Sequence, residues 1–319
     1  MMTALAIRSA LVAPVFAAAL LAGGVGDARA DEAQAAPARA ALPIPAPTLP
    51  APDGAAREKL LKLGYRVYVG GLNIFDFTID FTLGAETYSI KGDGESRGIA
   101  RMFWRWATHI SAGGNVGAEG VRPQIYNVDT FRPRRDRSMQ LSFDENGKYT
   151  IRRTPPDTAH RAAKRDLPVI VPPRTLDPLS IALMIGRDIA RGRGCKGMHP
   201  IFDGNRRYNL TFTDLGPGAV PKTPYSAYTG DAHRCQFDIQ RISGFQNPRE
   251  FLRFWDEDNY DPPMIWLARV VPDLPPVPVR LEGDLNMGGL RAYLVWAEYA
   301  GKSLFPNGEK PDVRVARRP

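Results

Sequence analysis

Five apolar side chains at alternate positions, Phe75, Phe77, Ile79, Phe81 and Leu83, interleave with Asp76, Thr78, Asp80 and Thr82. Successive side chains of a strand point to opposite faces. This run therefore predicts a half-buried strand with one apolar and one wet face. A helix would scatter the same residues around its axis. The two-residue period returns at 65–69, 124–131, 138–143, 208–213, 233–239 and 290–296, with turn signals at Gly70-Gly71, Asn146-Gly147 and Asp203-Gly204 between runs. Repeated short strands joined by tight turns predict antiparallel pairing.

Only one stretch reads firmly as a helix. Asp177 stands at a capping position with Pro178 just inside, and Leu179, Leu183, Ile185 and Ile189 form an apolar stripe. A proline at the first helical position loses nothing, because its missing N–H would have no partner there. Gly192 and Gly194 end the run. A shorter helix is expected within 248–255. Segment 100–110 reads as one aromatic strand through Phe103, Trp104 and Trp106. Gly92 and Gly94 should weaken the strand they follow, and Gly113, Gly114, Gly117 and Gly120 should form a turn region. The expected fold is mainly β: an antiparallel open barrel or spiral-like curved sheet with one covering α-helix.

The N-terminus carries processing information. Arg8 precedes an apolar run, and Ala28-Arg29-Ala30 is a small-x-small cleavage pattern. Residues 1–30 read as a signal peptide cut near Ala30, which places the mature chain outside the cytoplasm, in the periplasm. The Ala/Pro-rich residues 31–60 read as an extended tether, 61–301 as one β-rich domain, and 302–319 as a flexible basic tail. The formal charge of +8 falls to about +7 without the first thirty residues. A basic exported chain points to anionic envelope components as partners and away from nucleic acid.

Export also bears on the two cysteines, Cys195 and Cys235. An oxidising compartment favours a disulfide between them, closing a loop worth roughly 4 kcal/mol on the chain-entropy account. The alternatives are free thiols, or zinc held by Cys195, His199, His233 and Cys235, although that spacing is not a standard ligand set.

Catalytic patterns are weak. Asp76 and Asp80 would stand about 13 Å apart along a strand, too far to share a proton, and read as a solvated face. Ser180 lies in the first turn of a helix, outside any Gly-x-Ser-x-Gly elbow. Asp256, Glu257, Asp258 and Asp261 read as an acidic turn without the glycine of a calcium loop. No cofactor is expected. Arg132, Arg134, Arg135 and Arg137, followed by Arg152, Arg153, Arg161, Lys164 and Arg165, form a basic stretch. It is either a solvated loop or an anion-binding surface for lipid phosphates.

The order of several landmarks resembles an uncharacterised bacterial envelope family, domain of unknown function 3108. They are Tyr65-Arg66-Val67-Tyr68-Val69-Gly70-Gly71, Leu176-Asp177-Pro178-Leu179-Ser180, Phe202-Asp203-Gly204-Asn205-Arg206-Arg207-Tyr208, Ile265-Trp266-Leu267 and Pro278-Val279-Arg280-Leu281. The resemblance implies a periplasmic, mainly antiparallel β-fold and brings no established activity. The expected function is then a non-catalytic binding or scaffolding role in envelope integrity, with a lipid, lipoprotein or envelope protein as partner and peripheral contact with a membrane. Phe75, Phe77, Ile79, Phe81, Leu83, Leu179 and Leu183 would line an apolar ligand face, or simply bury one another. The alternatives are a hydrolase acting on peptidoglycan or glycan, and a structural partner of outer-membrane machinery.

Overall fold

The computed structural model describes residues 60–103, 105–133, 136–144, 148–156, 170–245, 261–285 and 288–314. The strands, in chain order, are β1 (Leu61–Val69), β2 (Leu72–Leu83), β3 (Thr87–Ser96), β4 (Ala107–Gly117), β5 (Gly120–Phe131), β6 (Arg137–Phe143) and β7 (Tyr149–Thr154), then β8 (Gly197–Phe202), β9 (Arg207–Val220), β10 (Gly230–Ser243), β11 (Met264–Ala268), β12 (Val277–Leu285), β13 (Gly288–Tyr299) and β14 (Lys302–Ser303). Helix α1 (Gly98–Phe103) lies between β3 and β4, and helix α2 (Ser180–Ala190) between β7 and β8.

All fourteen strands join one sheet in the order β7-β6-β5-β4-β3-β2-β1-β13-β12-β11-β10-β9-β8, with β14 on β13. Two meanders therefore meet where β1 pairs antiparallel with β13, from Leu61↔Tyr299 to Val69↔Leu290. The sheet is antiparallel and open, as the alternating runs predict. Its edge strands, β7 and β8, meet through side chains of β7 that reach Phe202 and the β8–β9 turn. Arg153 donates to the Gly204 carbonyl and, at 3.1 Å, to Asn205 Oδ1. The Tyr149 ring lies 4.9 Å from that of Phe202. The outer edge of β8 is occupied by Leu176, whose N–H reaches Pro200 O at 2.9 Å and whose carbonyl accepts from Phe202 N–H at 2.9 Å. Covering an edge in this way removes a template for unwanted pairing.

Helix α2 lies against the apolar face, burying Ile181, Leu183 and Ile185. Asp177 caps it, as expected: its Oδ1 accepts from the N–H groups of Leu179 at 2.9 Å and Ser180 at 3.0 Å. At the other end Arg187 and Arg191 donate to the Gly117 carbonyl at 3.0 and 3.3 Å, tying the helix to the β4–β5 turn.

Several local expectations need correction. β3 does not weaken at Gly92 and Gly94 but runs through them, paired with β2 and β4. Both positions lie under aromatic rings of β2: a Cβ at Gly92 would stand 2.5 Å from Phe77 Cζ, and one at Gly94 2.6 Å from Phe75 Cζ. Glycine here makes room for the core. Segment 100–110 is not one strand. Gly98, at φ +52°, turns the chain into α1 against Asn73, and β4 starts only at Ala107. Gly113 and Gly114 belong to β4, where the register shifts, and only 117–120 turn. The described part of the expected tail packs on β13. Leu304 N–H donates to Ala297 O at 2.9 Å, Glu309 N–H to Val295 O at 3.1 Å, and Lys310 stands 4.9 Å over the Trp296 ring. The expected helix within 248–255 lies outside the described residues, as do Trp104, Asp256, Glu257 and Asp258.

Candidate functional site

The apolar face and α2 meet as two halves of one core. Phe75, Phe77, Ile79 and Phe81 are buried, as are Leu179 and Leu183 on the helix side, and Leu83 packs at the margin. Phe75 stacks on Trp106 at 4.9 Å. A cavity of ≈ 40 Å³ remains, lined by residues including Tyr65, Ile79, Phe81, Leu183 and Pro276. A second, of ≈ 20 Å³, lies beside Ile181, Phe237 and Ile265. Pockets for small ligands begin near 300 Å³, so neither space holds an acyl chain. The face and the helix bury one another.

A polar chain sits at the helix start. Tyr88 Oη lies 2.5 Å from Ser180 Oγ, and the Ser180 hydroxyl donates to Asp177 Oδ2. With Ser180 donating to the carboxylate, Tyr88 donates to Ser180. Burial pushes the Asp177 carboxyl up to about 6, against the pull of its hydrogen bonds from Ser180 and Leu179. Burial likewise pushes the hydroxyls of Tyr88, Tyr126 and Tyr208 well above their usual range. Asp177 and Ser180 are both fully buried, and among the described residues no histidine hydrogen-bonds to either. This geometry caps and anchors a helix; it presents no nucleophile to a substrate.

Asp76 is not on a solvated face. It is 4% exposed. Its Oδ2 accepts from Arg97 Nε at 3.0 Å and its Oδ1 from Asn73 at 3.0 Å, and Arg97 also holds Glu95 at 3.0 Å. Asp80 does lie on an exposed position, as expected of a wet face.

Cys195 and Cys235 are joined as a disulfide, with Cα atoms 6.1 Å apart, linking the segment after α2 to β10. His233 stands beside them, and its ring and the two sulfurs lie within 4.8 Å of one another. The fourth residue of the zinc alternative, His199, is outside that group and lies against the Phe212 ring at 6.0 Å. His233 Nε2 is 2.6 Å from Asp214 Oδ1. Partial burial raises the Asp214 carboxyl, but the Gly216 N–H and His233 together hold it below the usual carboxylate range. Two sulfurs bonded to each other are not thiolates, so this set cannot hold a metal as it stands.

Of the basic stretch, Arg132 and Arg137 flank the β5–β6 turn and are half-buried, while Arg134, Arg135, Arg161, Lys164 and Arg165 lie outside the described residues.

One constellation escaped the sequence reading. A cross-strand row on the outer face pairs Arg66 with Tyr293, Tyr293 with Arg280, Arg280 with Trp266, and Trp266 with Arg234. The Arg280 guanidinium stands 5.0 Å over Trp266 and 5.7 Å over Tyr293. Tyr225, from the β9–β10 connection, stacks on Tyr293 at 6.0 Å. Cation–π contacts of this kind add about 0.5–2 kcal/mol each. The signal was present as large outward residues of matching parity on adjacent strands. Strand order was needed to align them.

The profile of a family described as "Protein of unknown function (DUF3108)" matches residues 64–295. The chain belongs to the DUF3108 family. That span runs from β1 into β13, so it takes in both meanders, α2 and the disulfide. Among solved structures, this DUF3108 chain is similar to a beta-barrel-like protein of domain of unknown function DUF1849 from Brucella abortus. The similarity has a TM-score of 0.45 at 13% identity and covers 76% of this chain and 98% of that one. No curated protein matches the DUF3108 chain.

Proposed function

We propose that this chain is a non-catalytic, exported envelope protein that binds or scaffolds other envelope components through its outer surface. The observation that carries this reading is the filled interior. Among the described residues, α2 occupies the apolar face that would hold a substrate or an acyl chain and leaves a cavity of ≈ 40 Å³ there. The side chains a hydrolase would need are spent locally. Asp76 is held by Arg97, Ser180 by Asp177 and Tyr88, and His233 by Asp214, on three separate elements. The leader-like first thirty residues and a cysteine pair in disulfide geometry support export.

In-cell crosslinking followed by native mass spectrometry of the mature chain tests the reading. A crosslinked envelope partner with no lipid adduct is the expected result. A retained lipid, lost when Leu183 becomes polar, would move the ligand into the interior. Turnover of peptidoglycan or glycan that disappears in Ser180→Ala or Asp76→Asn would overturn the non-catalytic reading.

A further inference from the structure

Helix α1 is amphipathic the wrong way round. Ala100 faces the protein and is buried, while Ile99, Met102 and Phe103, at helical spacing on one stripe, are 53%, 82% and 69% exposed. Leu72, at the start of the strand against which α1 packs, is 57% exposed. These four make up half of the large exposed apolar side chains among the described residues. Grouped apolar side chains on a surface mark a place where something else covers them.

Strand register shows what surrounds this stripe. Val69↔Leu72, Phe75↔Ser96, Ala107↔Phe131 and Thr130↔Arg137 bring the β1–β2 turn, α1 and the arginine turn between β5 and β6 to one end of the sheet. Arg101 and Arg105 are exposed within and just after α1. Among the described carboxylates at this end, Asp76 and Glu95 are held by Arg97, Asp284 lies 3.4 Å from Arg291, and Asp312 lies 2.9 Å from Arg314. Asp136 alone stands between Arg132 and Arg137 among the described residues of the next turn. The turns at the opposite end are of mixed charge, with Glu86, Glu119 and Asp144 beside Arg122 and Lys148.

We propose that this end of the sheet docks on an anionic phospholipid bilayer, with Ile99, Met102, Phe103 and Leu72 entering the headgroup boundary and Arg101 and Arg105 meeting lipid phosphates. Apolar side chains on one stripe with flanking arginines are the recognised requirements for an interfacial helix. Helix α1 packs on β2, which is paired on both sides by β1 and β3, so the stripe stands on a hydrogen-bonded sheet. A purely electrostatic patch would not expose Met and Phe, and a hydrophobic protein–protein patch would not need exposed arginines beside it. The proposal rests on the reading of the chain as an envelope protein and names the surface and the partner.

The test is co-sedimentation of the full mature chain with phosphatidylcholine vesicles, with and without phosphatidylglycerol. Binding should require the anionic lipid and weaken as salt rises. Met102→Asp with Phe103→Asp should lower partitioning at least about tenfold, as expected for losing two apolar side chains from the interface. Arg101→Glu with Arg105→Glu should lower it on anionic vesicles only. The substituted groups are exposed, so the thermal midpoint should not move; if the Asp pair misfolds, Met102→Ser with Phe103→Ser replaces it. Equal binding by parent and variants would overturn the proposal. So would release by inorganic phosphate at constant ionic strength, which would mark a free-anion site. Absence of vesicle binding by a chain that still crosslinks to an envelope protein would sink the docking surface and spare the scaffold reading. Recovery of the chain in the cytoplasm would sink the scaffold reading itself.

Discussion

Asp177 carries the clearest single-residue consequence. Its carboxyl titrates near 3.8 when unfolded and about 6 when folded, because burial disfavours the charged form. Folding therefore takes up a proton between those values. The contribution is fully present below about pH 4 and is lost as pH rises through 6, about 3 kcal/mol in all. Asp177→Asn keeps an acceptor for the Leu179 and Ser180 N–H groups and cannot ionise. The stability of the parent relative to this variant should fall between pH 4 and 7 in urea titrations, and a flat difference would rule the shift out. Arg97 gives the complementary case. Arg97→Met leaves Asp76 buried without its cation and should cost about 3–5 kcal/mol, with Asp76→Asn recovering much of it in the double variant. The capping role of Asp177 was legible in the sequence, because capping depends on a few neighbours along the chain. The burial of Asp76 was not. Alternation assigned it to the wet face, and only the fold of Arg97 back across β2 closes that face over it.

Among elements, α2 was readable and α1 was not, for a physical reason. The α2 stripe of Leu179, Leu183 and Ile185 faces a core, so its period matches the usual rule. The stripe of α1 faces outward, so its apolar residues merged with Trp106 into an apparent strand. Gly92 and Gly94 misled in the same manner: their job is to admit the rings of Phe75 and Phe77 from a neighbouring strand, which no local pattern encodes. If α2 is a structural plug rather than a lid over a ligand, Leu183→Ala should cost about 2–5 kcal/mol, because the cavity it lines would grow rather than refill. Chemical denaturation reads this directly. A change under about 1 kcal/mol would mean a loosely seated helix, and would reopen the interior as a binding space.

At the scale of the molecule, sheet order was the quantity the sequence withheld. Parity says which residues share a face, but not that β1 pairs with β13 and so joins the two meanders. That join has a dynamic consequence. Every other adjacent pair on the path is consecutive in the chain, so each can form by local closure. The β1–β13 pair spans almost the whole domain and lies mid-sheet, with β2 and β12 on either side and the segment through Glu309 and Lys310 laid along it. Breaking it requires separating two half-sheets that share the α2 core. The edge strand β7, by contrast, is hydrogen-bonded to β6 on one side and, among the described residues, meets the other edge through side-chain contacts of Tyr149 and Arg153. Local opening follows the density of such contacts. Native-state hydrogen exchange should therefore find the greatest protection at Leu63, Val67, Leu294 and Ala297, with β7 opening first. Tyr149→Ala should accelerate exchange in β7 and β8 while leaving β1 and β13 unchanged. Should β1 and β13 exchange as fast as β7, the two meanders would be separate units that merely touch, and the sheet would not act as one cooperative body.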